Sequence, residues 1–398
     1  MNPKISSLLA ARTESMAASA IREILKVVDR PGMVSLAGGI PAPETFPMDI
    51  LEELFSETVA RWKAKAFQYD LTEGFVPLRE ATAPYLRRYG VETDAAGILI
   101  TSGSQGTLDA VGKLLIGEGD AVAVESPTYL GALQAFNPYG PRYVEIETDE
   151  EGAIPESLER LIVEERPKFV YLVPTFQNPT GRTLSLERRK AIADIVIRHG
   201  ALLVEDDPYT ALRYRGQALP AIKSFAPDNV LYGTTFSKIF APGLRLGVAV
   251  PPNEELSTWL VKAKQGTDLH SSTLGQAMAA VYLERGHLDR RLPKIVSHYA
   301  PRLEAMLEAL GEFFPADWRW SRPDGGMFLW AEGPEGTDID AVYHRALAEN
   351  VAFVPGKYFY ADPSRGGTAS MRLNFTNTGP DTLKSAVRTL GNVIRGKD

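Results

Sequence analysis

The stretch GILITSGSQGTLDAVGKLLI, residues 97–116, indicates the fold class. Its apolar run ends at small and polar residues and a helical pattern follows directly, so it predicts a strand, a loop and a helix. The stretch DAVAVESPTYLGALQAF, residues 120–136, repeats that order. Near-continuous apolar strands that alternate with helices favour an α/β domain whose sheet is covered on both faces.

Four more apolar runs extend this pattern along the chain. They are KFVYLVPTFQNPTG at 168–181, ALLVEDDPYTAL at 201–212, NVLYGTTFSK at 229–238 and LRLGVAV at 244–250. Polar residues stand at the carboxyl ends of the predicted strands. In sheets of this kind the ligand crevice lies beyond those ends, so we expect the polar residues to meet although they are far apart in sequence.

The pattern changes after about residue 290, where the elements predict a smaller α+β domain. These elements are a helix at 297–314, a hairpin-like segment at 319–332, a helix at 338–351 and a strand at 368–376. The pattern of the first 45 residues predicts one amphipathic helix, with Ile21, Ile24, Leu25 and Val28 at helical spacing, and then a Gly- and Pro-rich loop. The predicted regions are an N-terminal segment at 1–45 that joins the small domain, a large domain at 46–290 and the small domain at 291–398.

The composition limits the classes of function that are possible. Of 398 residues 44% are hydrophobic and 23% are charged, which suits a globular chain with a large core. The formal net charge of −7 argues against general nucleic-acid binding. The chain has no cysteine, which excludes disulfides, thiolate nucleophiles and cysteine-ligated metals. Because no run approaches a membrane span or an export signal, we expect a cytoplasmic protein without membrane contact.

Two turns that contain glycine follow predicted strands. SGSQG, at 102–106, joins a strand to a helix, where backbone N–H groups and the helix dipole favour a phosphate. Gly103 lets the backbone come close and Ser104 adds a hydroxyl. NPTG, at 178–181, presents the Asn178 amide rigidly at a strand end. Taken alone, each is more often an ordinary helix start or an ordinary turn.

The acidic stretch EDDPY, at 205–209, ends another predicted strand. Strand alternation places Asp206 on the opposite face from Glu205 and Asp207. A carboxylate beneath a ligand can keep a ring nitrogen protonated, which indicates Asp206, with Tyr209 three residues further on. For Glu205 and Asp207 we expect a solvated acidic loop.

Lys238 stands in TTFSKIFAPGLRLG, residues 234–247, with no acidic neighbour in that window. Its amine can form a Schiff base with a carbonyl if it is neutral often enough to attack. Partial burial and the nearby cation Arg245 would both lower its pKa. Arg245 and the hydroxyls of Thr235 and Ser237 would bind the same phosphate as SGSQG.

Arg372, in SMRLNF, is the last candidate. A guanidinium there can grip a carboxylate with two parallel hydrogen bonds, although by itself it also suits a surface arginine on an edge strand. Together the five signals describe pyridoxal 5'-phosphate (PLP) as one shared ligand. Its expected contacts are Lys238 for the aldehyde, the 102–106 turn and Arg245 for the phosphate, Asp206 for the ring nitrogen, and Asn178 and Tyr209 for the phenolic oxygen.

The sequence resembles the fold-type I, class I/II aminotransferases of the aspartate aminotransferase superfamily nearly end to end. The motifs that carry the resemblance are SAIREILK, LAGGIPAPETFP, FQYDLTEGFVPLRE, TFQNPTG, VEDDPY, FSKIFAPGLRLG, KQGTDLH and GGMFLW. They are most similar to the branch that holds 2-aminoadipate and kynurenine aminotransferases. The resemblance implies an α/β fold with a mostly parallel seven-stranded sheet between helices in the large domain, and a smaller α+β domain.

The resemblance also implies roles for single residues. Lys238 would bind the PLP aldehyde and later move the substrate Cα proton, while Asp206 would keep the ring nitrogen charged. Tyr129 would stack on the ring. The other implied cofactor contacts are Ser104, Gln105, Asn178, Tyr209, Thr235, Ser237 and Arg245. Tyr69 would reach the cofactor phosphate of the neighbouring subunit, so the active unit would be a homodimer.

Substrate contacts are implied in the same way. Arg372 would take the α-carboxylate, with Asn178 and Tyr69 close by and Gly39 packed against the substrate. Ser19 and Arg22 would belong to the segment that matches a mobile N-terminal helix of the aminoadipate branch, which supplies an arginine to a distal carboxylate there. An arginine beside the apolar stripe of an exposed helix is also commonplace, so the alternative for Arg22 is an ordinary surface residue.

The resulting prediction is an aminotransferase that favours 2-aminoadipate and glutamate as donors and 2-oxoglutarate or 2-oxoadipate as acceptors, in lysine biosynthesis through aminoadipate. The alternative is a broad aromatic, branched-chain or kynurenine aminotransferase. The same scaffold also supports β-lyases and decarboxylases, because the cofactor performs the hard chemistry. A non-catalytic effector domain of a transcription regulator is disfavoured, since no basic helix-turn-helix precedes Arg22 and the net charge is negative.

Overall fold

The computed structural model describes residues 3–16, 30, 32–364 and 366–396. Ser19, Arg22 and the amphipathic helix predicted around them lie outside the described residues. Within those ranges, none of the helices combines the length and the apolar character that a membrane span requires. The described residues also contain no cluster of three or more His, Asp or Glu side chains that could hold a metal ion.

The strands are numbered here in chain order. They are β1 Val34–Ser35, β2 Leu99–Ser102, β3 Ala121–Glu125, β4 Arg142–Ile146, β5 Thr148–Asp149, β6 Gly152–Ala153, β7 Val170–Leu172, β8 Leu203–Asp206, β9 Val230–Thr235, β10 Leu246–Val250, β11 Arg319–Trp320, β12 Phe328–Glu332, β13 Val351–Ala352, β14 Val354–Pro355 and β15 Ser370–Asn374.

Helices connect and cover these strands. The α-helices are Pro3–Ser6, Leu51–Trp62, Val76–Arg87, Ser104–Leu115, Leu130–Phe136, Pro155–Glu165, Leu186–His199, Glu254–Gln265, Thr273–Glu284, His287–Phe313, Ile339–Ala348 and Pro380–Arg395. Short 3-10 helices are Ala11–Ser15, Pro43–Thr45, Met48–Ile50, Lys63–Phe67, Asn137–Tyr139, Ile222–Ser224, Phe236–Lys238, Pro242–Leu244 and Gly356–Phe359.

The main sheet has seven strands in the order β2-β10-β9-β8-β7-β3-β4. Strand β10 runs antiparallel to β2 and β9, and the remaining neighbours pair in parallel. The predicted α/β fold with a mostly parallel seven-stranded sheet is therefore confirmed.

Both faces of this sheet are buried, as the near-continuous apolar strands predict. Along β3, Val122 and Val124 pack in one apolar cluster with Phe136, whereas Ala121 and Ala123 pack in a second cluster on the other face. Full burial of each such valine contributes about 1.5–3 kcal/mol. The sheet is consequently a rigid platform whose strand ends are fixed in space.

A second sheet, of four strands in the order β11-β12-β15-β14, lies in the C-terminal part of the chain. The predicted hairpin is present, because β11 and β12 pair antiparallel. Strand β1 pairs in parallel with β13, so the N-terminal segment joins this C-terminal part. The exact division into regions at 45 and 290 stays a prediction.

One predicted helix differs in its start. The helix expected at 297–314 begins ten residues earlier, at His287, and contains Pro293 and Pro301. It begins there because Gly286, with a φ of 66°, ends the preceding helix. The long helix spans from the large-sheet side to the C-terminal sheet.

The carboxyl ends of β2, β7, β8 and β9 lie at one edge of the main sheet, since these strands share a direction. The segments that follow them carry the 102–106 turn, Asn178, Asp206 and Lys238. As expected, residues of these segments lie around a single cavity.

Candidate active site

The cavity at this edge has a volume of about 270 Å³. Twelve of the residues predicted from the sequence line it: Gly39, Ser104, Gln105, Tyr129, Asn178, Asp206, Tyr209, Thr235, Ser237, Lys238, Arg245 and Arg372. They come from both sheets and from the N-terminal segment. Residues that are far apart in the sequence therefore surround one small space.

Two glycines shape one end of the cavity. Gly103 has a φ of 73° and precedes the helix Ser104–Leu115, and a Cβ there would overlap the Arg245 guanidinium. Gly247, on β10, pairs with Thr101 of β2, and a Cβ there would overlap the backbone of Gly103. The guanidinium and the helix N-terminus thus come together, and both favour a bound anion.

Two hydroxyls lie beside this end. The Thr235 hydroxyl donates to Ser237 Oγ over 2.9 Å, and its oxygen accepts from the Ser237 backbone N–H over 3.1 Å. Thr235 Oγ1 also lies 3.0 Å from the Leu246 carbonyl oxygen. Both hydroxyl-bearing residues line the cavity beside Arg245.

Lys238 ends the 3-10 helix that follows β9. Its Nζ donates to the Gly39 carbonyl oxygen over 3.1 Å. Burial and, to a smaller extent, the nearby cations Arg245 and Arg372 together lower the pKa of Lys238 to about 8. This agrees with the sequence expectation of an amine that is neutral often enough to act as a nucleophile.

Asp206 is the last residue of β8 and is 3% exposed. Tyr171 donates from its hydroxyl to Asp206 Oδ2 over 2.8 Å, whereas Oδ1 has no hydrogen-bond partner among the described residues. Burial raises the pKa of Asp206, the Tyr171 hydrogen bond lowers it and the charge of Asp207 raises it, so that the pKa is about 7. A buried carboxylate oxygen without a partner is costly, so it favours a cationic or N–H ligand group.

Arg372 faces the cavity from the four-stranded sheet. Its Nη1 donates to Asn178 Oδ1 over 2.8 Å and its Nη2 donates to the Ala37 carbonyl oxygen over 2.6 Å. The rings of Phe328 and Phe359 lie 4.3 and 4.9 Å from the guanidinium carbon. Burial lowers the pKa of Arg372 to about 10, so the side chain is still cationic at neutral pH.

Asn178 lies between Tyr209 and Arg372 in the cavity. Its Nδ2 lies 3.5 Å from the Tyr209 hydroxyl, and the Tyr209 ring meets Phe328 edge to face. Burial raises the pKa of Tyr129 to about 12, so its hydroxyl keeps its proton at neutral pH. These rings give the cavity flat apolar walls with hydrogen-bonding groups at their tips.

The interpretation of Glu205 and Asp207 from the sequence is wrong. Glu205 and Asp207, expected in a solvated loop, are 0% and 2% exposed. The reason is that β8 is a central strand: Glu205 accepts from the backbone N–H groups of Ile222 and Lys223 at 2.9 Å each, and Asp207 accepts from the Tyr232 hydroxyl at 3.1 Å.

The alternative of a surface arginine on an edge strand is also wrong for Arg372. Strand β15 has β12 on one side and β14 on the other, and Arg372 pairs with Trp330 and Val354. Its side chain is among the largest that are fully buried in the described chain. A buried guanidinium requires anionic or carbonyl partners, which is consistent with a carboxylate ligand.

Tyr69 does not lie in this cavity. It is 76% exposed, and its ring meets His270 edge to face at 5.6 Å. Ile40, Val173 and Pro208 line the cavity although the sequence analysis did not single them out. Tyr171, the partner of Asp206, packs in the same apolar cluster as Val173, on the same face of the strand.

The residues present fit the chemistry of PLP. The turn at Gly103 with Arg245 suits its phosphate, the unpartnered oxygen of Asp206 suits its ring nitrogen, and the Lys238 amine suits its aldehyde. Each of these three groups lies at the end of a different strand. The three groups are therefore fixed independently of one another by the sheet.

The comparisons with known proteins agree with this chemistry. The model of the family "Aminotransferase class I and II" matches residues 47–390. Aromatic-amino-acid aminotransferase 1 of Thermococcus litoralis is 44% identical over 96% of this chain and 92% of its own length. The 2-aminoadipate transaminase of Thermus thermophilus is 41% identical over 95% and 94%.

A solved structure shows the same fold. The kynurenine aminotransferase of Pyrococcus horikoshii, in complex with PMP, superposes with a TM-score of 0.94 and 41% identity over 99% of this chain and 98% of its own. Aminotransferases of this class use PLP to exchange amino groups between amino acids and 2-oxo acids. The chain belongs to the class I and II aminotransferases, which makes it a PLP-dependent transaminase.

Proposed function

We propose that the preferred donors are 2-aminoadipate and glutamate, with 2-oxoglutarate or 2-oxoadipate as acceptors, and that the enzyme serves lysine biosynthesis through aminoadipate. The observation that supports this donor class is the 41% identity to a 2-aminoadipate transaminase along nearly the whole chain. The 44% identity to an aromatic-amino-acid aminotransferase favours the broader specificity as the second candidate.

The residues of the cavity have distinct proposed roles. When bound, PLP supplies an aldehyde that accepts the amino group and a ring that withdraws electrons from the substrate Cα. The Lys238 amine would hold the cofactor through its aldehyde and, when free, would take and return the proton of the substrate Cα. Asp206 keeps the ring nitrogen protonated, and Arg372 with Asn178 orients the substrate through its α-carboxylate.

The remaining contacts hold the cofactor in place. Arg245, Ser237 and the helix N-terminus at Ser104 bind its phosphate, and Thr235 orients Ser237. The rings and amides beside the cofactor ring are supplied by Gln105, Tyr129, Asn178 and Tyr209. Gly39 is proposed to pack against the substrate; a Cβ there would lie 2.9 Å from the Phe328 ring, so a glycine lets the backbone lie close to that ring.

A donor panel tests the specificity. Purified enzyme is given 2-oxoglutarate and, in separate reactions, 2-aminoadipate, leucine, phenylalanine or kynurenine, and formation of the 2-oxo acid is measured. The proposal expects the highest kcat/KM with 2-aminoadipate. A higher kcat/KM with phenylalanine or kynurenine would instead support the broader specificity. Release of ammonia with amino acid alone would indicate a lyase.

Arg22 is the residue proposed to read the distal carboxylate, with Ser19 beside it in the same N-terminal stretch. Both lie outside the described residues, so the proposal depends on the sequence match of SAIREILK. Arg22→Ala is expected to lower kcat/KM for 2-aminoadipate and glutamate by about 10-fold or more, because a charge-assisted hydrogen bond is lost. The value for leucine should change by less than about threefold.

Lys26→Ala is the matched control, because it removes another cation from the same stretch. It should leave the ratio of kcat/KM between 2-aminoadipate and leucine unchanged. Equal losses for leucine and 2-aminoadipate in Arg22→Ala would remove the case for a specificity role.

The active unit is proposed to be a homodimer that is completed by Tyr69. Around Tyr69, the side chains of Phe67, Leu71 and Leu269 are 59%, 52% and 48% exposed. An exposed apolar patch of this kind is typical of an interaction surface. Sedimentation should show a dimer, and Tyr69→Phe should keep the dimer and weaken cofactor binding, because it removes only the hydroxyl. An active monomer would overturn this proposal.

A further inference from the structure

Behind the cavity, two tyrosines hold two adjacent aspartates in the same way. Tyr171 lies on β7 and Tyr232 on β9, the two strands that flank β8. Tyr171 donates to Asp206 Oδ2 over 2.8 Å, and Tyr232 donates to Asp207 Oδ2 over 3.1 Å. Because successive residues of a strand point to opposite faces, only Asp206 faces the cavity.

We infer that Tyr171 is a positioning residue for the cofactor: it holds one oxygen of Asp206 and keeps that carboxylate anionic, so that the other oxygen is presented to the ring nitrogen. The inference depends on the proposed role of Asp206. Tyr171 itself does not line the cavity among the described residues. It therefore acts through Asp206 rather than on the cofactor or the substrate.

The geometry supports a fixed donor. Tyr171 is 0% exposed and its ring packs edge to face on Phe136 at 5.9 Å, so its hydroxyl has little freedom to move. Burial, with the nearby charge of Asp206, raises the pKa of Tyr171 well above its usual value. The hydroxyl therefore keeps its proton at any working pH, and towards a carboxylate it can only donate.

The donated hydrogen bond opposes two effects that disfavour the anion. Burial and the neighbouring Asp207 both raise the pKa of Asp206, whereas the Tyr171 hydroxyl lowers it. The other titratable groups that face the carboxylate across the cavity are Tyr129, Tyr209, Lys238, Arg245 and Arg372. The two tyrosines there are neutral, and the charges of the three cations also favour an anionic Asp206.

Removing the Tyr171 hydroxyl should consequently weaken cofactor binding in a pH-dependent way. Because a hydrogen bond to a charged group stabilises the bound state, Tyr171→Phe is expected to raise the PLP dissociation constant about 10-fold at neutral pH. Because the pKa of Asp206 rises when the donor is lost, the acid-side decline in affinity should move to higher pH. Loss of packing alone would weaken binding equally at every pH.

Tyr232→Phe is the matched control, since it deletes an equally buried hydroxyl that donates to the adjacent aspartate. Loss of that bond raises the pKa of Asp207 and reduces its negative charge. Since the charge of Asp207 raises the pKa of Asp206, the acid-side decline should stay in place or move to lower pH. Only Tyr171→Phe should therefore move the acid-side decline to higher pH, which distinguishes the two variants.

The experiment measures PLP dissociation constants from pH 5.5 to 9 by equilibrium dialysis for the parent, Tyr171→Phe, Tyr232→Phe, Asp206→Asn and the double variant Tyr171→Phe/Asp206→Asn. Thermal unfolding of each apoprotein monitors folding. In the double variant, Tyr171→Phe should add less than about twofold to the effect of Asp206→Asn, because its route to the cofactor is gone.

Each outcome has a separate meaning. If Tyr171→Phe binds PLP as tightly as the parent, or shows the same pH shift as Tyr232→Phe, or adds its full effect on top of Asp206→Asn, the inference is overturned. If Asp206→Asn itself binds PLP like the parent, the proposed role of Asp206 fails first. Steady-state kinetics with a good donor should also show a lower kcat in Tyr171→Phe at an almost unchanged KM.

Discussion

Lys238→Ala is expected to lose transamination by at least about 10³-fold, because the variant loses both the nucleophile for the PLP aldehyde and the base for the Cα proton. The described cavity contains no second lysine that could replace it. The measurement is 2-oxo acid formation from glutamate under single-turnover conditions. Lys238→Arg, which keeps the positive charge, should be equally inactive, since a guanidinium does not lose its proton at neutral pH.

A second readout separates lost chemistry from lost folding. Borohydride treatment of the parent with PLP should leave a stable adduct on the peptide that contains Lys238, as seen by mass spectrometry. Lys238→Ala should give no such adduct while it still binds PLP reversibly through its phosphate contacts. A variant that turned over amino groups like the parent, or a parent without the adduct, would contradict the proposed role.

The lowered pKa of Lys238 gives this prediction a pH dependence. Below about pH 8 the apoenzyme amine is mostly protonated and cannot attack an aldehyde, and above it the amine is mostly neutral. The rate of covalent PLP incorporation should therefore rise as the pH rises through about 8. An ordinary exposed lysine would show that rise nearer its usual pKa of about 10.4.

Most residues of this cavity could be predicted from the sequence, because in this fold the place of a residue relative to its strand determines where it lies in space. In parallel sheets the carboxyl ends of strands share one edge, so Asn178, Asp206 and Lys238 were expected to meet and do line one cavity. The turn at Gly103 was recognisable because a glycine before a helix start marks close backbone approach.

Burial was harder to predict than position. Glu205 and Asp207 read as a solvated loop because acidic residues are rarely buried without partners. Their partners, the Tyr232 hydroxyl and the backbone of Ile222 and Lys223, come from segments distant in the sequence, and a local pattern cannot show them. The Tyr171 hydrogen bond to Asp206 was missed for the same reason.

Arg372→Leu is expected to lower kcat/KM for every amino donor by about 100-fold or more. Every donor carries an α-carboxylate, and loss of one partner of a buried charge pair costs about 2–5 kcal/mol. Arg372→Lys should recover only part of the activity, because an ammonium keeps the charge but lacks the planar fork. The measurement is a set of kcat/KM values for glutamate, leucine and phenylalanine with each variant.

The loss should be uniform across donors, and this separates Arg372 from the specificity role proposed for Arg22. Arg319→Leu is the control, since Arg319 lies in the same four-stranded sheet but is exposed at its edge, and it should behave like the parent. Because Arg372 also lowers the pKa of Lys238, PLP incorporation in Arg372→Leu should require a slightly higher pH. If leucine and glutamate retained parental kcat/KM values in a folded Arg372→Leu protein, the α-carboxylate would have to bind elsewhere, and the buried guanidinium between Phe328 and Phe359 would have only a structural role.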